Sequence, residues 1–236
     1  MMEEANKFLE HRDQIAGIAP PTERNLDSER VVKVDDGSLK FKKNQVAGGV
    51  RQILLGLGVD LESDDFKDTP SRVARAFQEL CSGLYVNEKK VEDVFGKKFP
   101  SPYKGMIVVG PVTVAGVCPH HLLPVSMTAV LAYISDPKTQ DKLGLSKVVR
   151  GIRLFAQRPA MQETISNDIV EAFNKYVKPA GVALWIKGSH NCMTSRGVLQ
   201  PQSQAITQDV RGLFETDVGV KTEFEHKLMN LGVDRA

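Results

Sequence analysis

The stretch G-M-I-V-V-G-P-V-T-V-A-G-V-C-P-H-H-L-L-P-V-S-M-T-A-V-L-A-Y-I (105–134) decides how the fold is read. Residues 105–117 and 123–134 are rich in β-branched side chains and predict two strands. Between them, Cys118-Pro119-His120-His121 forms a loop that can turn two side chains toward one point. Downstream, 181–190 returns to strand character, and 196–214 has room for one more strand. Upstream, Val46, Val50, Ile53, Leu54 and Leu57 recur at helical spacing, with Gly56 and Gly58 marking an end. Asp68-Thr69-Pro70 predicts a second helix start, a capping side chain ahead of a proline at the first helical position. Its apolar face carries Val73, Ala74, Phe77, Leu80, Cys81 and Leu84. Ser146 is expected to cap a helix running through Arg158, and Pro159 to interrupt it. A further helix with Ile165, Ile169, Ala172 and Phe173 should reach about Val177, and a short polar one spans roughly 219–231. Helices and strands are segregated, which favours an α+β fold over a doubly wound sheet.

Composition narrows the function. The 236 residues hold 31 Lys+Arg against 29 Asp+Glu, a net charge of +2. That balance argues against a nucleic-acid partner held by bulk charge and leaves a local basic pocket open. No run approaches the roughly 18 apolar residues of a membrane helix, and Met1-Met2-Glu3-Glu4 lacks the basic-then-apolar pattern of a secretory signal. A soluble, cytoplasmic enzyme or binding protein without a membrane partner is expected. The first 43 residues, charged and broken by Pro20-Pro21, read as a polar arm, with a helix over 3–16 as one option and a mobile segment as the other.

Three cysteines are too few for a disulfide scaffold. Cys81 falls on an apolar helix face and is expected to be a small buried hydrophobe. Cys118 and His121 have the C-x-x-H spacing of half a zinc site. The other half would come from Ser189-His190-Asn191-Cys192, where two residues apart on an extended chain share a face. A thiolate and imidazole set suits zinc. Two arrangements fit the spacing: a closed four-ligand staple, or three ligands with an open position and spare histidines as general acid or base. Around these residues, Lys147 and Arg150 open a helix that could hold an anion, Arg196 follows Cys192, and Arg72 with Arg75 lies near the second helix start. Gln162-Glu163 offers a carboxylate able to accept from the pairing edge of a guanine.

The segments V-C-P-H-H-L-L-P (117–124), G-L-S-K-V-V-R (144–150), F-A-Q-R-P-A-M-Q-E (155–163), H-N-C-M-T-S-R-G-V (190–198) and D-T-P-S-R-V-A-R (68–75) resemble GTP cyclohydrolase I, in order and spacing, from about residue 44 to 215. The resemblance implies the tunnelling fold (T-fold): an antiparallel sheet with helices on one side that oligomerises into a barrel. It implies a domain over 44–236, helical over about 44–100 and T-fold over about 101–236. It also implies a homodecamer with active sites at subunit interfaces. By motif position, Cys118, His121 and Cys192 match the zinc ligands, and His120 and His190 the catalytic histidines. Gln162 and Glu163 match the guanine-binding pair, and Ser146 lies in the matching substrate loop. Lys147, Arg150, Arg196, Arg72 and Arg75 fall on triphosphate-binding positions. The implied reaction hydrolyses GTP at C8, releases formate and closes a new ring to give 7,8-dihydroneopterin triphosphate.

The chain departs from the usual pattern at Pro119, where the family has a glutamate, at Ala160, at Thr164-Ile165-Ser166, and at Val125-Ser126-Met127, where Phe-x-Gly is more usual. Two rivals follow: a purine-nucleotide hydrolase that stops at the ring-opened formamidopyrimidine, and a zinc-binding oligomer without turnover. Two unligated histidines weigh against the latter, because a structural site has no use for them.

Overall fold

The strands form where β-branched residues cluster, and the helices take the segments between. The computed structural model describes residues 40–233; the predicted arm lies almost wholly outside them. Helices α1 (Lys43–Gly56) and α2 (Thr69–Leu80) lead through a 3-10 turn (Ser82–Tyr85) to α3 (Glu88–Phe95). Strands β1 (Lys98–Pro100), β2 (Ile107–Val117), β3 (Pro124–Ile134) and β4 (Asp141–Leu143) follow. Then come α4 (Leu145–Ala156), α5 (Gln162–Val177), β5 (Gly181–His190), the helical turn α6 (Asn191–Thr194) and β6 (Ala205–Gly212). Helices α7 (Leu213–Thr216) and α8 (Val218–Leu231) close the described chain. The main sheet has the order β2-β3-β5-β6 and is antiparallel throughout, while β1 and β4 form a separate pair. The α+β expectation holds.

The sheet is apolar on both faces along Ala129–Tyr133 and Val182–Ile186, so both faces need cover. One face packs on α3, α4 and α5 through Val91, Phe95, Val148, Ile152, Ile169 and Phe173. Phe173 meets Phe95 edge-on at 5.6 Å between ring centroids, a geometry worth about 0.5–1.5 kcal/mol beyond burial. The expectation of helices on one side needs refining at the other face. There Val130, Ala132, Ala183 and Trp185 are covered by Phe214 of α7 and by Phe224 and Leu228 of α8.

Local chemistry corrects several boundaries. Asp68 precedes α2, but its carboxylate takes the Arg72 guanidinium at 3.2 Å instead of capping, and Pro70 is the second helical residue. Ser146 is no cap: Gly144 holds that position and Ser146 lies inside the first turn of α4. That helix ends at Ala156, short of Arg158, because a residue before proline is pushed out of the helical region. Helix α1 forms as expected, yet Ile53, Leu55 and Leu57 around its end are exposed. Cys81 is buried at 5% exposure, and burial pushes its thiol up, as a packed small hydrophobe requires.

Three features aim the fold at one place. The β2–β3 hairpin ends in the Cys118 turn, and Val125 pairs with His190, so the end of β5 lies beside that turn. Pro159 bridges to Val117, which brings the start of α5 to the same end of the sheet. The connection is clamped by a buried ion pair between Arg158 and Asp168, whose side chains are 16% and 8% exposed.

Candidate functional site

The hairpin turn is closed at both ends. Cys118 N–H donates to the Leu123 carbonyl and Leu122 N–H donates to the Cys118 carbonyl, each at 2.9 Å. Leu122 adopts a left-handed φ of 54°, which costs a non-glycine residue roughly 1–2 kcal/mol. Strain of that kind is retained where the loop must hold its side chains in place. Opposite, β5 gives way to α6 after His190. The ligand atoms of Cys118, His121 and Cys192 all lie within 4.8 Å of one another.

The face-sharing argument for His190 and Cys192 fails, because Cys192 sits in a helical turn and not on an extended strand. The two side chains therefore diverge. Cys192 Sγ approaches Cys118 Sγ at 3.7 Å, whereas His190 Nε2 meets the Gln162 Oε1 atom at 3.1 Å.

The donor set fits a divalent metal. Two thiolates bound tetrahedrally at the usual zinc–sulfur length of about 2.3 Å stand about 3.8 Å apart, close to the 3.7 Å seen here. Burial, followed by the hydrogen bond to Cys118, raises the Cys192 thiol above its ordinary value. A divalent cation held there would supply the counter-charge that lets both sulfurs ionise. Arg196 donates to His121 Nε2 at 2.9 Å. His120, exposed, places its Nδ1 atom 3.8 Å from Cys118 Sγ.

Beside this centre, His190 is half-buried and its proton affinity is lowered by desolvation, partly offset by the negative charge of Glu163. Glu163 is exposed at the start of α5 and available to a ligand. Gln162 is 2% exposed, and the two protons of its amide nitrogen are shared among Ile186 O, Ala205 O and Thr207 Oγ1 at 3.1, 3.1 and 3.2 Å. A recess beside His190 is lined by Val117, Val125, Met127, Ala160, Gln162, Ile165 and His190. Four of these, Val125, Met127, Ala160 and Ile165, are positions where the chain departs from the usual pattern of the family it resembles. These four departures share one packed patch, where changes of volume can offset one another.

The remaining predicted site residues are not gathered by one chain. Ser146, Lys147 and Arg150 lie toward the start of α4, whose other end, at Ala156, approaches Gly116 of β2. Ten residues of helix separate Ser146 from that end by about 15 Å. Lys147 Nζ donates to Asp93 O at 2.7 Å. Arg72 pairs with Asp68, and Arg75 donates to Ser71 Oγ at 2.8 Å. Among the described residues, no hydrogen bond or ion pair ties these cations to the Cys118 cluster.

Sequence reasoning missed Thr207, Ser166 and Gly188, which surround Gln162. One signal was present: an isolated glycine inside a strand, Gly188, marks a close approach. A Cβ there would stand 2.1 Å from Gln162 Oε1.

Fold and site together define an antiparallel α+β protein with a Cys-His-Cys cluster able to hold a metal at a hairpin turn and a half-buried histidine beside it. A sequence profile of the family "GTP cyclohydrolase I" matches residues 46–229. The chain is 37% identical over 183 residues to GTP cyclohydrolase 1 of Pelotomaculum thermopropionicum, covering 78% of this chain and 95% of that one. It is 36% identical over 189 residues to GTP cyclohydrolase 1 of Bacillus subtilis, covering 79% and 96%. To GTP cyclohydrolase 1 of Thermobifida fusca it is 34% identical over 212 residues, covering 89% and 91%. The chain belongs to the GTP cyclohydrolase I family.

Proposed function

We propose that this chain hydrolyses and rearranges GTP to 7,8-dihydroneopterin triphosphate and formate with the help of zinc. The observation that carries the reading is the convergence of Cys118, His121 and Cys192 within 4.8 Å, beside His190 and Glu163, in a chain of this family. Zinc held by those three residues would supply a Lewis acid that makes water nucleophilic at neutral pH. Glu163 accepts hydrogen bonds from the pairing edge of guanine and so orients the base. His190 and His120 carry protons to and from the ring nitrogens as one water opens the imidazole ring at C8 and a second releases formate. Ring closure after rearrangement of the ribose expels one water. Gln162 stays at the guanine end of the site, its side chain engaged with the protein.

Ser146, Lys147, Arg150, Arg196, Arg72 and Arg75 are read as the triphosphate anchor, remote binding that positions the reacting carbon. Because Ser146 and Lys147 lie about 15 Å along α4 from the metal end, part of this anchor is assigned to a neighbouring copy. A homodecamer with active sites between subunits accommodates that. The exposed Ile53, Leu55 and Leu57 and the outer edges of β2 and β6, unpaired with any strand among the described residues, support association of copies. Division of the domain near residue 100 is supported by the last of the leading helices ending at Phe95. Among the described residues, no helix is long and apolar enough to cross a membrane. Unbonded Cys118 and Cys192 at 3.7 Å suit the reducing cytoplasm.

The test is incubation of the full chain with GTP, reading formate, zinc stoichiometry and the fluorescent pterin formed on oxidation. Cys118→Ser should remove zinc and both products together. A metal-free variant that still released formate would overturn the scheme. Accumulation of a formamidopyrimidine would identify the first rival, and zinc binding without turnover the second.

A further inference from the structure

Gln162 is oriented by partners that can only accept. The carbonyl oxygens of Ile186 and Ala205 lie 3.1 Å from one end of its carboxamide. The reversed amide would set oxygen against two oxygens, so the amino group must face them. The same amino group reaches Thr207 Oγ1 at 3.2 Å, and that hydroxyl exchanges a 2.7 Å hydrogen bond with Ser166 Oγ, itself fully buried. The other end, Oε1, is left facing His190 Nε2 at 3.1 Å. Since Oε1 has no proton to give, the hydrogen bond exists only if Nε2 carries one.

We propose that the Gln162 carboxamide, locked by Ile186 O, Ala205 O and Thr207, holds a proton on His190 Nε2 and thereby makes Nδ1 the nitrogen that exchanges protons with substrate. Thr207 and Ser166 are positioning residues acting through Gln162. Gly188 is the third: its missing side chain admits the contact, because a Cβ would meet Oε1 at 2.1 Å and His190 Nε2 at 3.3 Å. Nε2 is engaged by Gln162 Oε1 at 3.1 Å, so the two nitrogens have separate tasks. One is tethered to the fold and the other turns over. The inference rests on His190 carrying protons in the reaction proposed above.

Two measurements test it on the zinc-loaded, full-length protein. The first reads the tautomer without any turnover: solid-state 15N spectra of histidine-labelled protein, with His190 assigned by its loss in His190→Ala. A protonated Nε2 and an unprotonated Nδ1 in the neutral ring are expected, and the reverse tautomer overturns the proposal. The second compares Thr207→Val, which keeps the shape and deletes the hydroxyl, with Thr207→Ser. Thr207→Val should lower kcat for formate release by about tenfold, the scale of one hydrogen bond, with zinc content and KM for GTP unchanged; Thr207→Ser should restore the rate. In a His190→Ala background the Thr207→Val change should have no further effect. If the two losses multiply, the coupling through Gln162 is refuted. If His190→Ala alone turns over like the parent, the assignment of His190 as proton carrier fails, and the tautomer spectrum separates that outcome from failure of the lock.

Discussion

Asp168→Asn offers a sharp test of how the site end of the molecule is held. Arg158 follows α4 and Asp168 lies on α5, and their side chains pair while only 16% and 8% exposed. Asparagine keeps the shape and deletes the charge, leaving a guanidinium buried without its counter-ion. Breaking a buried pair this way costs about 3–5 kcal/mol. Arg158 retains slight solvent access and the introduced carboxamide can still accept one hydrogen bond, so the lower end, about 3 kcal/mol, is expected. For a folded unit of this size, that corresponds to a fall in Tm of roughly 6–12 °C. Thermal unfolding at one fixed protein concentration reads it, which keeps any association of copies constant. Asp64→Asn is the control, because the Lys67–Asp64 pair is 54% and 95% exposed and should contribute less than about 1 kcal/mol. Replacing both Arg158 and Asp168 by Met and Leu should recover most of the loss, since no unpaired charge then remains. A Tm for Asp168→Asn indistinguishable from that of Asp64→Asn would refute the reasoning.

Two further outcomes follow from buried and surface hydrogen bonds. Tyr133→Phe should lower stability by about 1–3 kcal/mol in urea titrations. The phenol oxygen accepts from the Leu143 N–H at 3.0 Å, and both residues are buried, so the amide loses its partner. The Glu88 carboxyl is held below its ordinary value by hydrogen bonds from Lys175 and Tyr176. Its contribution is therefore present above the ordinary carboxylate range and lost as pH falls through its lowered value. Denaturation midpoints of Glu88→Gln and the parent should converge toward acid, and a gap that widens there would contradict the assignment.

The site was legible in the sequence to the extent that its chemistry is carried by short local spacing. C-x-x-H survives translation into structure because a tight turn joins Cys118 to His121. His190 and Cys192 do not share the face that extended spacing predicts, because the helical turn of α6 is only four residues long, too short to leave a periodic signal. Ser146 and Asp68 resemble caps by residue type alone. Cap geometry depends on backbone angles and on competitors such as Arg72, which sequence does not display.

By itself, the sequence determined the order and type of the long elements, the α+β class and a short set of candidate metal donors around Cys118 and Cys192. Strand and helix periods and the C-x-x-H spacing are properties of contiguous chain. Only the tertiary structure decided which of those residues meet. Gln162 stands apart from Thr207 and Gly188 along the chain, and they touch because α5 packs across the β5–β6 pair. It likewise separated the cations: Arg196 donates to His121 of the Cys-His-Cys cluster, while Lys147 lies near the start of α4 and donates to Asp93 O. Such encounters depend on packing between distant segments, and no local pattern records them.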